Sequence, residues 1–106
     1  MRLNLDTTVF EEQQALLVRE LVQSIRVKLQ EVGLAGSQLE DTTAGIAFSV
    51  ASMLDDTAAI EVDGTEVHPY LTFRTADDAL THCGENSYMH EFVYEVLRQL
   101  DQESKE

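Results

Sequence analysis

The sequence has no tryptophan, one proline, one cysteine, and only seven basic residues against twenty acidic ones. Each scarcity excludes something. A lone thiol, Cys83, cannot close an internal disulfide, so the fold needs no oxidising compartment. The longest stretch without a charge, from Thr42 to Leu54, spans 13 residues, short of the roughly 20 apolar residues that a membrane-spanning helix requires. No membrane association is expected. The opening Met1-Arg2-Leu3-Asn4-Leu5-Asp6 lacks the apolar core of a secretory leader, which points to a cytoplasmic protein. The patterns GxSxG, GxxxxGK, GxGxxG, HExxH and CxxC are missing, so no cofactor is implied by motif.

What is present fits one folded domain. The chain has 106 residues, 43% hydrophobic and 25% charged, enough to bury a single core and too few for two. The net charge of −13 is unevenly placed. Residues 1–39 carry five acids and four bases, whereas residues 40–106 carry fifteen acids and three bases. Such a surface repels phosphate backbones, so direct nucleic-acid binding is disfavoured and a basic protein partner is favoured.

Periodicity and punctuation predict an α+β fold in the order α-α-β-β-α-α. Phe10, Leu17, Leu21, Ile25, Leu29 and Val32, widened by Val18 and Val22, recur at helical spacing and predict a long helix over about 8–32. Two start signals compete. Thr8 with Glu11 forms a capping box, while Asp6 as cap would set Leu5 on Phe10 as a hydrophobic staple. Gly33 suits the left-handed position that ends a helix, with Leu34 folding back over Leu29. Ser37 and Glu40 form a further capping box ahead of a second helix. Its apolar residues, from Leu39 to Leu54, run nearly all round and predict burial in the core or in a homodimer interface. Gly45, Ser49 and Ser52 would there admit a close neighbour.

Asp63-Gly64 between Ile60-Glu61-Val62 and Thr65-Glu66-Val67 is the signature of a type I′ hairpin, placed at 59–73. The turn sets Val62 opposite Thr65, Glu61 opposite Glu66 and Ile60 opposite Val67, with Leu71 and Phe73 continuing the inward face. An isolated hairpin is marginal in water, so helices or a second hairpin should cover it. Thr75 with Asp78 reads as the cap of a short helix closing at Gly84. The last helix, about 87–102, carries the stripe Met89, Phe92, Val93, Val96, Leu97 and Leu100, and the chain is expected to fray over 101–106.

The only dense group of reactive side chains is Asp77, Asp78, His82, Cys83 and His90. On one helix face Asp78 and His82 could join Cys83 or His90 around a metal, or a histidine could activate the thiol. Each member also has a local structural role. The aspartates suit a helix start, His82 a helix end, and a single cysteine behaves as a small hydrophobe.

Two surfaces are candidates for binding a protein. One is the outward hairpin face of Glu61, Glu66, His68 and Tyr70, where the carboxylates should raise the pKa of His68. The other is the polar face of the last helix, with Glu91, Tyr94 and Glu95, tyrosine being a favoured interface anchor. The resulting expectation is a non-enzymatic protein-binding module serving as adaptor, inhibitor or chaperone-like factor, with a homodimer as its expected assembly. The alternatives are a DNA mimic that occupies a nucleic-acid-binding protein, and a small enzyme or metal protein centred on His82, Cys83 and His90.

Overall fold

The computed structural model describes residues 1–104. It is an α+β single domain with the order β1 (Arg2–Leu5), α1 (Thr7–Glu31), α2 (Gly36–Leu54), β2 (Ile60–Val62), β3 (Thr65–Val67), β4 (Phe73–Ala76), β5 (Ala79–His82) and α3 (Met89–Ser104). No helix among the described residues is long and apolar enough to cross a membrane.

The three helices pack on one another around Val18 and Val22 of α1, Ala47 and Ala51 of α2, and Met89, Val93 and Leu97 of α3. Val18 and Val22 sit at the centre of the buried face of α1, with Leu17, Leu21 and Ile25 at its margin. Asp6 wins the competition for the helix start, its side chain accepting the Val9 amide at 3.1 Å. The staple is not formed, because Leu5 stays exposed at the end of β1 while Phe10 packs on the Phe73 ring, centroids 5.2 Å apart. The end follows the expected Schellman pattern. Gly33 has φ +97°, and its amide and that of Leu34 bond to the carbonyls of Gln30 and Leu29.

The second helix departs from expectation twice. Its cap is Ala35, with no side-chain bond, since the Glu40 carboxylate pairs instead with Arg26 at 3.1 Å. Nor is it buried all round. Ala44, Ala47 and Ala51 form the buried stripe, whereas Ile46, Phe48 and Met53 are exposed. Close approach of the neighbouring helices therefore uses alanines at i, i+3 and i+7; Gly45 faces open space.

The hairpin has the expected register, with Ile60 opposite Val67, Glu61 opposite Glu66 and Val62 opposite Thr65. Asp63 and Gly64 have φ +49° and +82°, as a type I′ turn requires. Its setting differs from the expected one. The second strand stops at Val67, no layer of helix or sheet among the described residues closes over the hairpin, and Val62 and Val67 remain exposed. The radius of gyration of 15.6 Å exceeds the about 13 Å of a compact chain this long.

The segment expected as a short helix over 75–84 is instead a second hairpin, β4–β5, turning at Asp77-Asp78. Ala79 and Thr81 are buried and alternate at period two with the half-buried Leu80 and His82, and that pattern outweighs the coincidental capping box. A long-range contact settles the matter. β1 pairs in parallel with β5, giving a three-stranded sheet of order β1-β5-β4, and a third strand makes a short hairpin stable. The C-terminal stretch expected to fray is helical through Ser104; residues 105–106 lie outside the described residues.

Candidate functional site

Alternate turns of α1 and α3 leave an apolar groove of about 620 Å³ between them. Phe10, Gln14 and Val18, at i, i+4 and i+8, supply the α1 wall. Phe92 and Val96, at i and i+4, supply the α3 wall, with Leu16 and Tyr88 at the edges. Phe92 was expected in the core, yet it is 39% exposed here, one position round from the buried Val93. The rim is acidic. Among the described residues, Glu11, Glu85, Glu91 and Glu95 border the groove against one cation, Arg19, and that guanidinium is already bonded to Glu103. Glu91 and Glu95, four residues apart, project together along one edge.

Two buried polar groups hold the groove in shape, and neither was singled out in the sequence. Gln14 is nearly fully buried, and its amide oxygen accepts the Tyr88 amide at 2.7 Å, pinning the loop that closes one end. A glutamine inside an otherwise apolar helical stripe was the available signal. Asp55, at the end of α2, is completely buried. Its carboxylate accepts the Ser87 hydroxyl, the His90 backbone amide at 2.8 Å and His90 Nδ1 at 2.5 Å. It thereby caps α3, which starts at Met89. The serine donates to the carboxylate and not to the imidazole, and Ser87 is itself buried. The order is therefore not the nucleophile–base–orienter chain of a hydrolase. At the groove edge, a hydrogen bond to Glu85 raises the Tyr88 phenol above its ordinary value of 10.0.

The candidate metal or thiol group is dispersed. Asp78 lies in the β4–β5 turn facing Arg2, His82 ends β5 with Nδ1 hydrogen-bonded to the Tyr70 hydroxyl at 2.8 Å, and His90 is held by Asp55. Cys83 lines the groove and donates its S–H to the Glu85 carbonyl at 3.1 Å. Among the described residues no three His, Cys, Asp or Glu side chains are placed to share a metal ion.

The two predicted binding surfaces fare differently. Glu91 and Glu95 belong to the groove, but Tyr94 lies on the α2 side of α3, 6.4 Å from the Phe48 ring and beside a smaller hollow bordered by Glu40, Asp41 and Arg98. On the hairpin, Glu61 and Glu66 are opposite each other, but His68 bonds to Glu66 at 3.2 Å and to Asp56 at 3.1 Å, not to Glu61. Tyr70 turns away to His82. The His68 imidazole is raised above 6.5, first by the Glu66 bond and then by Asp56. Its contribution to stability should be complete below the unfolded-state pKa and lost as pH rises through the raised folded value. NMR titration should place His68 above a model imidazole, with Asp56→Asn lowering it; a midpoint below 6.5 would contradict this geometry.

No protein-family model matches the chain, and comparison with curated proteins and with solved structures finds no match.

Proposed function

We propose that this chain is a non-enzymatic protein-binding module whose α1–α3 groove receives a basic amphipathic helix of a partner protein. The observation that carries the reading is the pairing of an apolar floor with four rim glutamates whose one neighbouring cation is already engaged. Helix-in-groove recognition needs apolar anchors at i, i+3 or i+4 and i+7 on the incoming segment. Lysine or arginine beside those anchors would meet Glu11, Glu85, Glu91 and Glu95, speeding encounter and fixing orientation. A second copy is a poor occupant. The chain holds seven bases against twenty acids, and Arg19, Arg26 and Lys28 already face carboxylates, so a second copy offers the acidic rim little positive charge.

The test uses a synthetic helical peptide of alternating leucine and lysine faces carrying one tryptophan, which the protein itself lacks. Tryptophan fluorescence should report binding that Phe92→Glu weakens by at least roughly tenfold, the loss of one well-packed anchor. A peptide with glutamate in place of lysine should not bind. The DNA-mimic alternative predicts something else, because a row of carboxylates recognised as phosphates has no use for Leu16 or Phe92. Binding unchanged by Phe92→Glu would contradict the groove reading.

A further inference from the structure

The three-stranded sheet is electrostatically unlike the rest of the molecule. Its strands hold two arginines, one histidine and no acid, in a chain of net charge −13. Asp6 and the turn residues Asp77 and Asp78 flank these strands, leaving the sheet near charge balance, so two copies of the acidic chain meet less repulsion there than a uniformly acidic surface would impose. The sheet also has an open edge. β5 is central, the β4 edge is broken by a register shift between Arg74 and Ala76, and β1 is regular over its four residues. A bulge protects an edge from further pairing, and β1 has none.

From these features we propose that β1 pairs antiparallel with β1 of a second copy, joining two sheets into one of six strands about a two-fold axis at Asn4. Arg2 and Asp6 direct their amides to β5, bonding to the carbonyls of Asp78 and His82. In a parallel ladder alternate residues serve one neighbour, so the amides and carbonyls of Leu3 and Leu5 face the open side. Antiparallel pairing centred on Asn4 sets Leu3 opposite the partner's Leu5 and Leu5 opposite the partner's Leu3, the residues whose backbone groups are unpaired.

The same register makes the side chains self-complementary. Arg2-Leu3-Asn4-Leu5-Asp6, read against its own reverse, sets Arg2 opposite the partner's Asp6 twice over, and opposite charges so placed stabilise a strand pair. Asp6 Oδ1 is used by the Val9 amide, and a carboxylate has further acceptor capacity for a guanidinium. Leu3 and Leu5, 66% and 65% exposed, would form a four-leucine row on the outer face. The β2–β3 edges are poorer partners, because Glu61 and Glu66 would be stacked against their copies. This pairing is independent of the groove and leaves it open.

Three measurements on the full chain test the proposal together. Sedimentation at micromolar concentration should give a dimer. Arg2→Asp, which turns two attractions into two repulsions, should raise the dimer Kd by roughly tenfold with unchanged far-UV circular dichroism. Asn4→Cys in a Cys83→Ser background should form an intermolecular disulfide under mild oxidation, since Cβ atoms directly opposite in a non-hydrogen-bonded pair lie about 4.5–5.5 Å apart. Leu3→Cys, displaced from the axis, should cross-link slowly with itself and rapidly with Leu5→Cys. A wild-type monomer at all concentrations, a dimer indifferent to Arg2→Asp, or a dimer in which Asn4→Cys fails to cross-link would each overturn the proposal.

Discussion

Replacing Asp55 with alanine is expected to lower the stability of the domain by about 3 kcal/mol, the range for stranding buried donors of a charged acceptor. The carboxylate has no exposed surface. It is the acceptor for the Ser87 hydroxyl, the His90 amide and the His90 ring, and alanine leaves all three donors without it. In a domain this size the loss corresponds to a melting temperature lower by roughly 10–20 °C. Asp55→Asn keeps one acceptor oxygen and should cost less. Because the bonds run between the end of α2 and the start of α3, the damage should be greatest there, with amide exchange at Met89–Val93 quickening before that at the centre of α1. A change under about 1 kcal/mol would show that the cap is replaceable by water.

The second large effect is expected at Phe10. This ring is 1% exposed, touches the Phe73 ring, and forms part of the groove wall. It therefore joins the helical layer to the three-stranded sheet as well as shaping the site. Phe10→Ala should cost about 3–5 kcal/mol, from the lost transfer energy and the cavity left behind. In urea the midpoint should fall while the slope stays constant, since the same surface is exposed on unfolding. Phe10→Leu, which retains most of the volume, should be milder. A small loss for Phe10→Ala would mean that the sheet is held by β1–β5 pairing alone.

These two residues also show what could be read from the sequence. Elements specified by local chemistry were legible: Asp63-Gly64 dictated a turn and its register, Gly33 a helix end, and Met89 to Leu100 an amphipathic helix with a clear buried side. Elements that depend on partners far along the chain were not. β1 meets β5 across 77 residues of separation, and although Arg2, Leu3, Asn4 and Leu5 alternate polar and apolar at the period of a strand, so short a run does not name its partner. The same omission explains the mistaken helix at 75–84, whose sheet partner was out of view. Asp55 looked like one more acid in an acidic chain, because its role comes from Ser87 and His90, more than 30 positions away. The groove was half visible. Glu91 and Glu95 were identified as a binding edge, but the wall opposite them belongs to α1, and Phe92 was assigned inward because its place in the stripe is only about 100° from Val93.

Charge alone would have suggested the hairpin as the binding surface, since Glu61 and Glu66 are both exposed on it. The groove is the stronger candidate on energetic grounds. Exposed charges on a strand pair are well screened, whereas an apolar floor adds area removed from water on binding, about 25 cal/mol per Å² before the costs of association. An acidic rim then contributes specificity and rate. That division of labour, apolar depth for affinity and carboxylates for partner choice, is the proposed basis of binding.

Its most direct measurement is a chemical-shift map of the isotopically labelled protein titrated with the leucine–lysine helical peptide at physiological salt. The largest perturbations should fall on Leu16, Phe92 and Val96 with their neighbours on the α1 and α3 walls, and Glu91→Lys with Glu95→Lys should abolish them while preserving the fold. Perturbations spread evenly over the acidic surface, or concentrated on Glu61 and Glu66 of the hairpin, would contradict it.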